Sequence, residues 1–217
     1  MNPEGPGKSR GHVRLTNKFN YVRTGFWEIW YENGQKKEDG EHDDGKRVDL
    51  WVSWYESGNV RVMSQYAEGH LAETASFYEN GETQERGNWA NGQRVGTWTY
   101  WHENGKRARE GQFANGKEIG VWTAWYENGQ KKREGSFADG KNVGTWTTWY
   151  ENGQKQAEGK YLNGEPVGTW TGWHENGQKQ VEGQVAEGKP MGEWMAWDKN
   201  GVKEDAGRFF DGKRVFP

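Results

Sequence analysis

Glu103, Glu127, Glu151 and Glu175 recur at steps of 24 residues, each just ahead of an Asn-Gly dipeptide. Paired carboxylates are the usual equipment for acid–base hydrolysis. Equivalent positions in successive hairpins would lie two strand spacings apart, about 10 Å, too far for a retaining pair at about 5 Å. Each glutamate also has a lysine within a few residues, so the column reads as solvated and charge-balanced. The histidines, His12, His42, His70, His102 and His174, are scattered, cysteine is absent, and no Cys/His/Asp spacing suits a metal. Gly-Lys at 116–117 and 140–141 recurs as a turn and not as one phosphate-binding loop. No serine or threonine has a companion base. The chain is therefore expected to be non-enzymatic, with no catalytic residue, no cofactor and no metal.

The chemistry that remains is recognition. There are 15 Trp and 9 Tyr in 217 residues, with a net charge of only −3. Most of these aromatics keep a fixed phase. One series is Trp98, Trp122, Trp146, Trp170 and Trp194; a second, three residues later, is Trp101, Trp125, Trp149, Trp173 and Trp197. Interspersed charges and near-neutrality speak against nucleic acid and against an anionic membrane, both of which favour concentrated positive charge. No segment is apolar enough to span a bilayer and Met1 to Thr24 has no signal-like apolar run. A soluble cytoplasmic protein is the expectation.

The elements that position these rings follow from the glycines. Gly34, Gly58, Gly81, Gly105, Gly129, Gly153, Gly177 and Gly201 close E-N-G-like turns at steps of 24 or 23, and a second glycine follows each by 11 residues. Such a period marks a repeat array. Asn-Gly between β-prone stretches signals a hairpin with a two-residue type I′ turn. The expected fold is all-β: an elongated, single-layer antiparallel sheet of about eight stacked 24-residue hairpins, roughly 75 Å long before twist. Residues 1–24, basic and rich in Pro and Gly at the start, are expected to be a cap or loose tail; 25–213 form the array and 214–217 a tail, with the aromatics before it capping the last edge.

A two-residue turn fixes the register. Trp98 then faces Gly111, Trp122 faces Gly135, Trp146 faces Gly159 and Trp170 faces Gly183, each ring covering its opposite glycine. Tyr126 faces Lys131, Tyr150 faces Lys155 and His174 faces Lys179, placing cations beside rings. One face carries Trp98, Tyr100, His102, Arg107, Arg109 and Phe113. The second series lies on the other face, opposite a variable column: Ala108, Lys132, Gln156, Gln180 and Glu204. Trp101, Trp125, Trp149, Trp173 and Trp197, with Lys132, are therefore the candidate partner-binding residues, although the same rings could simply cover the second face. Trp98, Trp122, Trp146, Trp170 and Trp194 are assigned structural roles. So are Gly111, Gly135, Gly159 and Gly183, and the turn glycines Gly105, Gly129, Gly153 and Gly177. The unit between Gly69 and Gly81 is one residue short; Ala75 stands at the first-Trp position, Glu73 replaces the glycine, and Phe77-Tyr78 replaces Trp-Tyr. Asp49 replaces the equivalent glycine upstream.

The consensus G-x-W-x-x-W-[YH]-E-N-G-x-K-x-x-E-G-x-[FY]-x-[ND]-G-K-x-x-G, read over about 25–213, resembles the variant MORN repeat. The resemblance implies β-hairpins in one twisted sheet, and bacterial chains of this type resemble YwqK-like antitoxins. It therefore implies a protein that binds and neutralises, or scaffolds, a partner protein, possible partners being a toxin or effector. Three alternatives stand beside it: a glycan- or cell-wall-binding module, a membrane-associated MORN scaffold, and self-association through sheet edges.

Overall fold

A computed structural model describes residues 9–15 and 20–215. Among these the fold is all-β, with no helix and 18 strands. Two compact units are present: Met1–Lys106 with Phe113–Gly116, and Arg107–Gln112 with Lys117–Pro217. We call them the N-unit and the C-unit. The N-unit contains β1 (Ser9–Leu15), β2 (Tyr21–Trp30), β3 (Lys36–Asp43), β4 (Lys46–Trp54), β5 (Val60–Ala67), β6 (His70–Phe77), β7 (Thr83–Ala90) and β8 (Gln93–Trp101). Residues of β9 (Arg107–Ala114) are divided between the units. The C-unit contains β10 (Lys117–Trp125), β11 (Lys131–Ala138), β12 (Lys141–Trp149), β13 (Lys155–Leu162), β14 (Glu165–Trp173), β15 (Lys179–Ala186), β16 (Lys189–Trp197), β17 (Lys203–Phe210) and β18 (Lys213–Val215). In each unit every strand pairs antiparallel with the next, the hairpin ladder expected from the period. Part of the basic N-terminal segment, residues 9–15, is itself a strand on β2; residues 1–8, 16–19 and 216–217 lie outside the described residues.

The first turn of each repeat is not of the expected type. At Tyr126-Glu127-Asn128-Gly129 only Gly129 has positive φ, +92°. The Tyr126 carbonyl accepts from the Gly129 N–H at 2.9 Å, and the Tyr126 N–H donates to the Gln130 carbonyl at 2.9 Å. This is a type I turn closed by a left-handed glycine, and not the two-residue turn. The type I′ turn is the second one: Asp139 (φ 52°) and Gly140 (φ 78°) join Ala138 directly to Lys141. Asn128 is instead fixed by hydrogen bonding. Its Oδ1 accepts from the Gln130 N–H at 2.8 Å, and its Nδ2 donates to the Glu151 carbonyl of the next repeat at 2.9 Å. Asn33, Asn80, Asn152 and Asn176 make the same inter-repeat bond.

The longer turn shifts the local register, and a bulge at Lys132 shifts it back. Trp125 pairs with Lys131, Ala124 with Arg133, and Trp122 with Gly135. Thus the expected Trp122–Gly135, Trp146–Gly159 and Trp170–Gly183 pairs form. The second series does not face the variable column, however: Trp149 pairs with Lys155, Trp173 with Lys179 and Trp197 with Lys203.

In each unit the core is a file of tryptophans: Trp27, Trp51 and Trp98 are buried in the N-unit, and Trp122 and Trp146 in the C-unit. The ring above each strand glycine comes from the strand on its other side, contrary to the expected cover by the paired Trp. A Cβ on Gly135 would overlap the indole of Trp146, on Gly111 that of Trp122, on Gly159 that of Trp170, and on Gly183 that of Trp194. The indole Nε1–H of Trp146 also donates to the Ser136 carbonyl at 3.2 Å, and Trp122 to that of Gln112 at 3.2 Å. Between successive indoles a second aromatic stands edge-on. Phe137 lies 6.2 Å from Trp122 and 5.0 Å from Trp146; Tyr161 lies 6.2 Å from Trp146 and 5.2 Å from Trp170. Edge-to-face contact suits the ring quadrupoles.

The short unit departs from the expectation as well. Thr74, not Ala75, takes the tryptophan position: it is buried and pairs with Gly87 as Trp122 pairs with Gly135. The residue facing it on β5 is Ser64 rather than glycine. Without an indole to accommodate, the strand tolerates a side chain. The missing residue is the left-handed glycine ahead of the tryptophan, so Glu73 does not replace it. Asp49 does occupy that left-handed position, at φ 54°.

Candidate binding faces

On the second-series face each half-buried tryptophan carries a lysine from the preceding hairpin. Lys131 Nζ lies 5.7 Å over the Trp149 ring, Lys155 5.6 Å over Trp173 and Lys179 5.2 Å over Trp197. In the N-unit Lys36 lies 5.3 Å over Trp54. The expected pairing of these lysines with Tyr126, Tyr150 and His174 is not formed, because the turn moves them to the opposite face. Each lysine is held by a glutamate: Lys131–Glu134 at 2.6 Å, Lys155–Glu158 at 2.7 Å and Lys179–Glu182 at 2.8 Å. Thr123, Thr147 and Thr171 donate to the same carboxylates at 3.0–3.1 Å. These bonds, the lysine's first, keep all three carboxyls below their usual range against the opposing effect of burial. Arg107 joins this face through Glu110, at 3.5 Å, and so leaves the column where it was expected.

Lys132, the bulged residue, is exposed and lies 5.3 Å over the Tyr126 ring. The tyrosines serve the next repeat: Tyr126 Oη donates to the Trp149 carbonyl at 2.8 Å and Tyr150 to that of Trp173 at 2.7 Å. His174 Nε2 lies 2.8 Å from the Trp197 carbonyl, taking the place of a tyrosine hydroxyl. The candidate residues Trp125, Trp149, Trp173 and Trp197 thus form one ladder in the C-unit, with Lys132 at its margin. Trp101 is half-buried in the N-unit, its carbonyl accepting from Tyr78 Oη at 2.8 Å.

Sequence reasoning placed Arg109 on the first-series face but missed that arginines stack on its indoles. Arg47 stacks 4.0 Å from the Trp51 ring centre, Arg94 4.0 Å from Trp98, Arg109 4.1 Å from Trp122 and Arg133 4.0 Å from Trp146. Their signal is a pair of opposite charges nine residues apart, in three of the repeats. Arg47 pairs with Glu38 at 2.8 Å and Arg94 with Glu85 at 3.4 Å; one repeat on, the signs reverse and Arg109 pairs with Glu118 at 2.6 Å. In the N-unit, His42 lies between Trp27 and Trp51, edge-on at 5.9 and 4.7 Å.

Among the described residues no His, Cys, Asp and Glu group is arranged to hold a metal, and no helix is long and apolar enough to cross a membrane. Four segments, residues 94–115, 118–139, 142–163 and 166–186, match the MORN repeat variant. No curated protein matches the chain significantly. The same hairpin recurs on both sides of the matched segments, from β2 to β7 and from β16 to β17. MORN repeats are in general binding modules and commonly mediate protein interactions, so the matched segments are similar to repeats built for binding.

Proposed function

We propose that this chain is a non-enzymatic repeat module that binds a partner protein through an aromatic face of its sheet. The observation that carries the reading is the regular presentation of half-exposed indoles with cations beside them on a frame whose turns are hydrogen-bonded from repeat to repeat. Tryptophan, tyrosine and arginine are the residues that dominate binding energy at protein interfaces. The repeat match supports binding as a class of function. Within that reading, the likeness to antitoxins makes a toxin or effector domain the partner to look for, and a cytoplasmic site of action accords with it.

The test is affinity capture from host lysate with the wild-type chain and with a Trp125→Ala/Trp149→Ala variant shown to be folded. One stoichiometric protein, lost with the variant, supports the module and assigns the second-series face. Retention of that protein moves the interface to the first-series face. Capture of no protein by folded bait overturns the reading.

A further inference from the structure

The first-series face of the C-unit changes character along its length. Two positions of each repeat flank the indole, and in successive repeats they hold Arg109 and Glu118, Arg133 and Asn142, Ala157 and Pro166, then Val181 and Pro190. The first pair is closed by its ion pair of 2.6 Å. In the second, asparagine stands where the carboxylate should be. Arg133 is exposed and stacked on Trp146, and it has no ion pair among the described residues. The last two pairs are apolar, and Trp170 and Trp194 are half-exposed where Trp122 and Trp146 are buried.

We propose that this stretch seats an extended segment of the partner protein, with one carboxylate on Arg133 and apolar side chains over Trp170 and Trp194. The inference rests on the protein-binding reading and names its chemistry. A guanidinium already fixed by stacking loses little freedom when it takes a carboxylate in a two-pronged bond. The flanking pairs at Trp170 and Trp194 carry no charge, and the next cation, Arg214 over Gly207, stands beyond Trp194; charge so sparse favours an acidic–apolar peptide over a nucleic acid or phosphate ligand. Successive repeats are two strand spacings apart, about 9.6 Å. Three residues of polyproline II span about 9.3 Å and return to the same side. The segment therefore reads Asp or Glu, then apolar residues three and six positions on, running across the strands.

The test is selection of a random linear peptide library on the full-length chain, followed by affinity measurement of a chosen peptide. Enriched peptides should carry an acidic residue and apolar residues at three-residue intervals. Binding should weaken roughly tenfold with Arg133→Gln, partly recover with Arg133→Lys, and stay unchanged with Arg61→Gln on the N-unit. Near-ultraviolet circular dichroism checks that each variant is folded. Enriched peptides with no acidic preference, or with equal affinity for Arg133→Gln, overturn the inference and leave the protein-binding reading standing. Peptides that reproduce segments of this chain overturn it in favour of a second copy as occupant. No enrichment on folded protein overturns the linear-segment proposal, and the lysate capture then decides the broader reading alone.

Discussion

Gly135 lies beneath the indole of Trp146, on the neighbouring strand, so closely that a single added methyl group would occupy the ring. The two residues are 11 apart in the chain, and the same distance separates Gly111, Gly159 and Gly183 from the rings of Trp122, Trp170 and Trp194 above them. Gly135→Ala should therefore destabilise by about 1–3 kcal/mol, as overpacking a filled core does. Trp146 is only 4% exposed and has nowhere to move. Urea unfolding of the variant against wild type measures this.

Gly144 supplies the contrast. Its φ is +66° and a Cβ there would meet nothing within 4 Å. Gly144→Ala should cost about 1 kcal/mol, through backbone conformation alone. Gly144→Asn should cost less, because asparagine tolerates the left-handed region; Asp49 already does so at the equivalent position. Equal losses for alanine and asparagine would show that conformation is not the cause.

The period, the hairpin and the glycine–tryptophan pairing are legible because each is carried by a residue type with few alternatives. The turn is not, because Asn-Gly serves both a two-residue turn and a type I turn closed by a left-handed glycine. The inter-repeat bond from Asn128 to Glu151 accompanies the second form, and that partner lies in another hairpin. The same shift moved Lys131 from Tyr126 to Trp149 and replaced a variable column by a constant one. Ser64 shows the logic in reverse: read with Thr74, it is a coupled loss of the pair, which neither residue reveals alone. Arg133, with Asn142 nine residues on where Arg109 has Glu118, was present in the sequence as a charge without its opposite, but its stacking on Trp146 needs the third dimension.

Asn128→Ala should cost about 1–2 kcal/mol, although the residue is exposed, because it removes a bond within the turn and another to the next repeat. Asn128→Asp keeps the acceptor for Gln130 and loses the donor to Glu151, so it should fall between wild type and alanine. Thermal unfolding of the three proteins orders them. An aspartate as stable as wild type would remove the inter-repeat bond from the account.

Tyr126→Phe tests the second inter-repeat bond. It deletes the hydroxyl that donates to the Trp149 carbonyl at 2.8 Å and should cost about 1 kcal/mol. His174→Tyr should be tolerated, since the imidazole already occupies a tyrosine's place against the Trp197 carbonyl. Loss of stability in His174→Tyr greater than in Tyr126→Phe would contradict the equivalence of the two positions.

Acid should loosen the N-unit before the C-unit. His42 is buried between Trp27 and Trp51, and its Nδ1 has no hydrogen-bond partner among the described residues. Burial lowers its proton affinity below the ordinary 6.5, Arg23 and Arg47 lower it further, and Glu38 opposes them. The unfolded chain therefore binds more protons than the folded one as pH falls through 6.5, and stability drops until the folded value is passed. The depressed carboxyls of Glu134, Glu158 and Glu182 have the same sign but act lower, where pH falls through the carboxylate value of 4.5. His42→Phe places in the N-unit the residue that Phe137 supplies at the equivalent position of the C-unit. It should flatten stability between about pH 7 and pH 5 while leaving the lower transition in place. Urea midpoints measured across that range check it, and an unchanged slope would mean that His42 is not the group responsible.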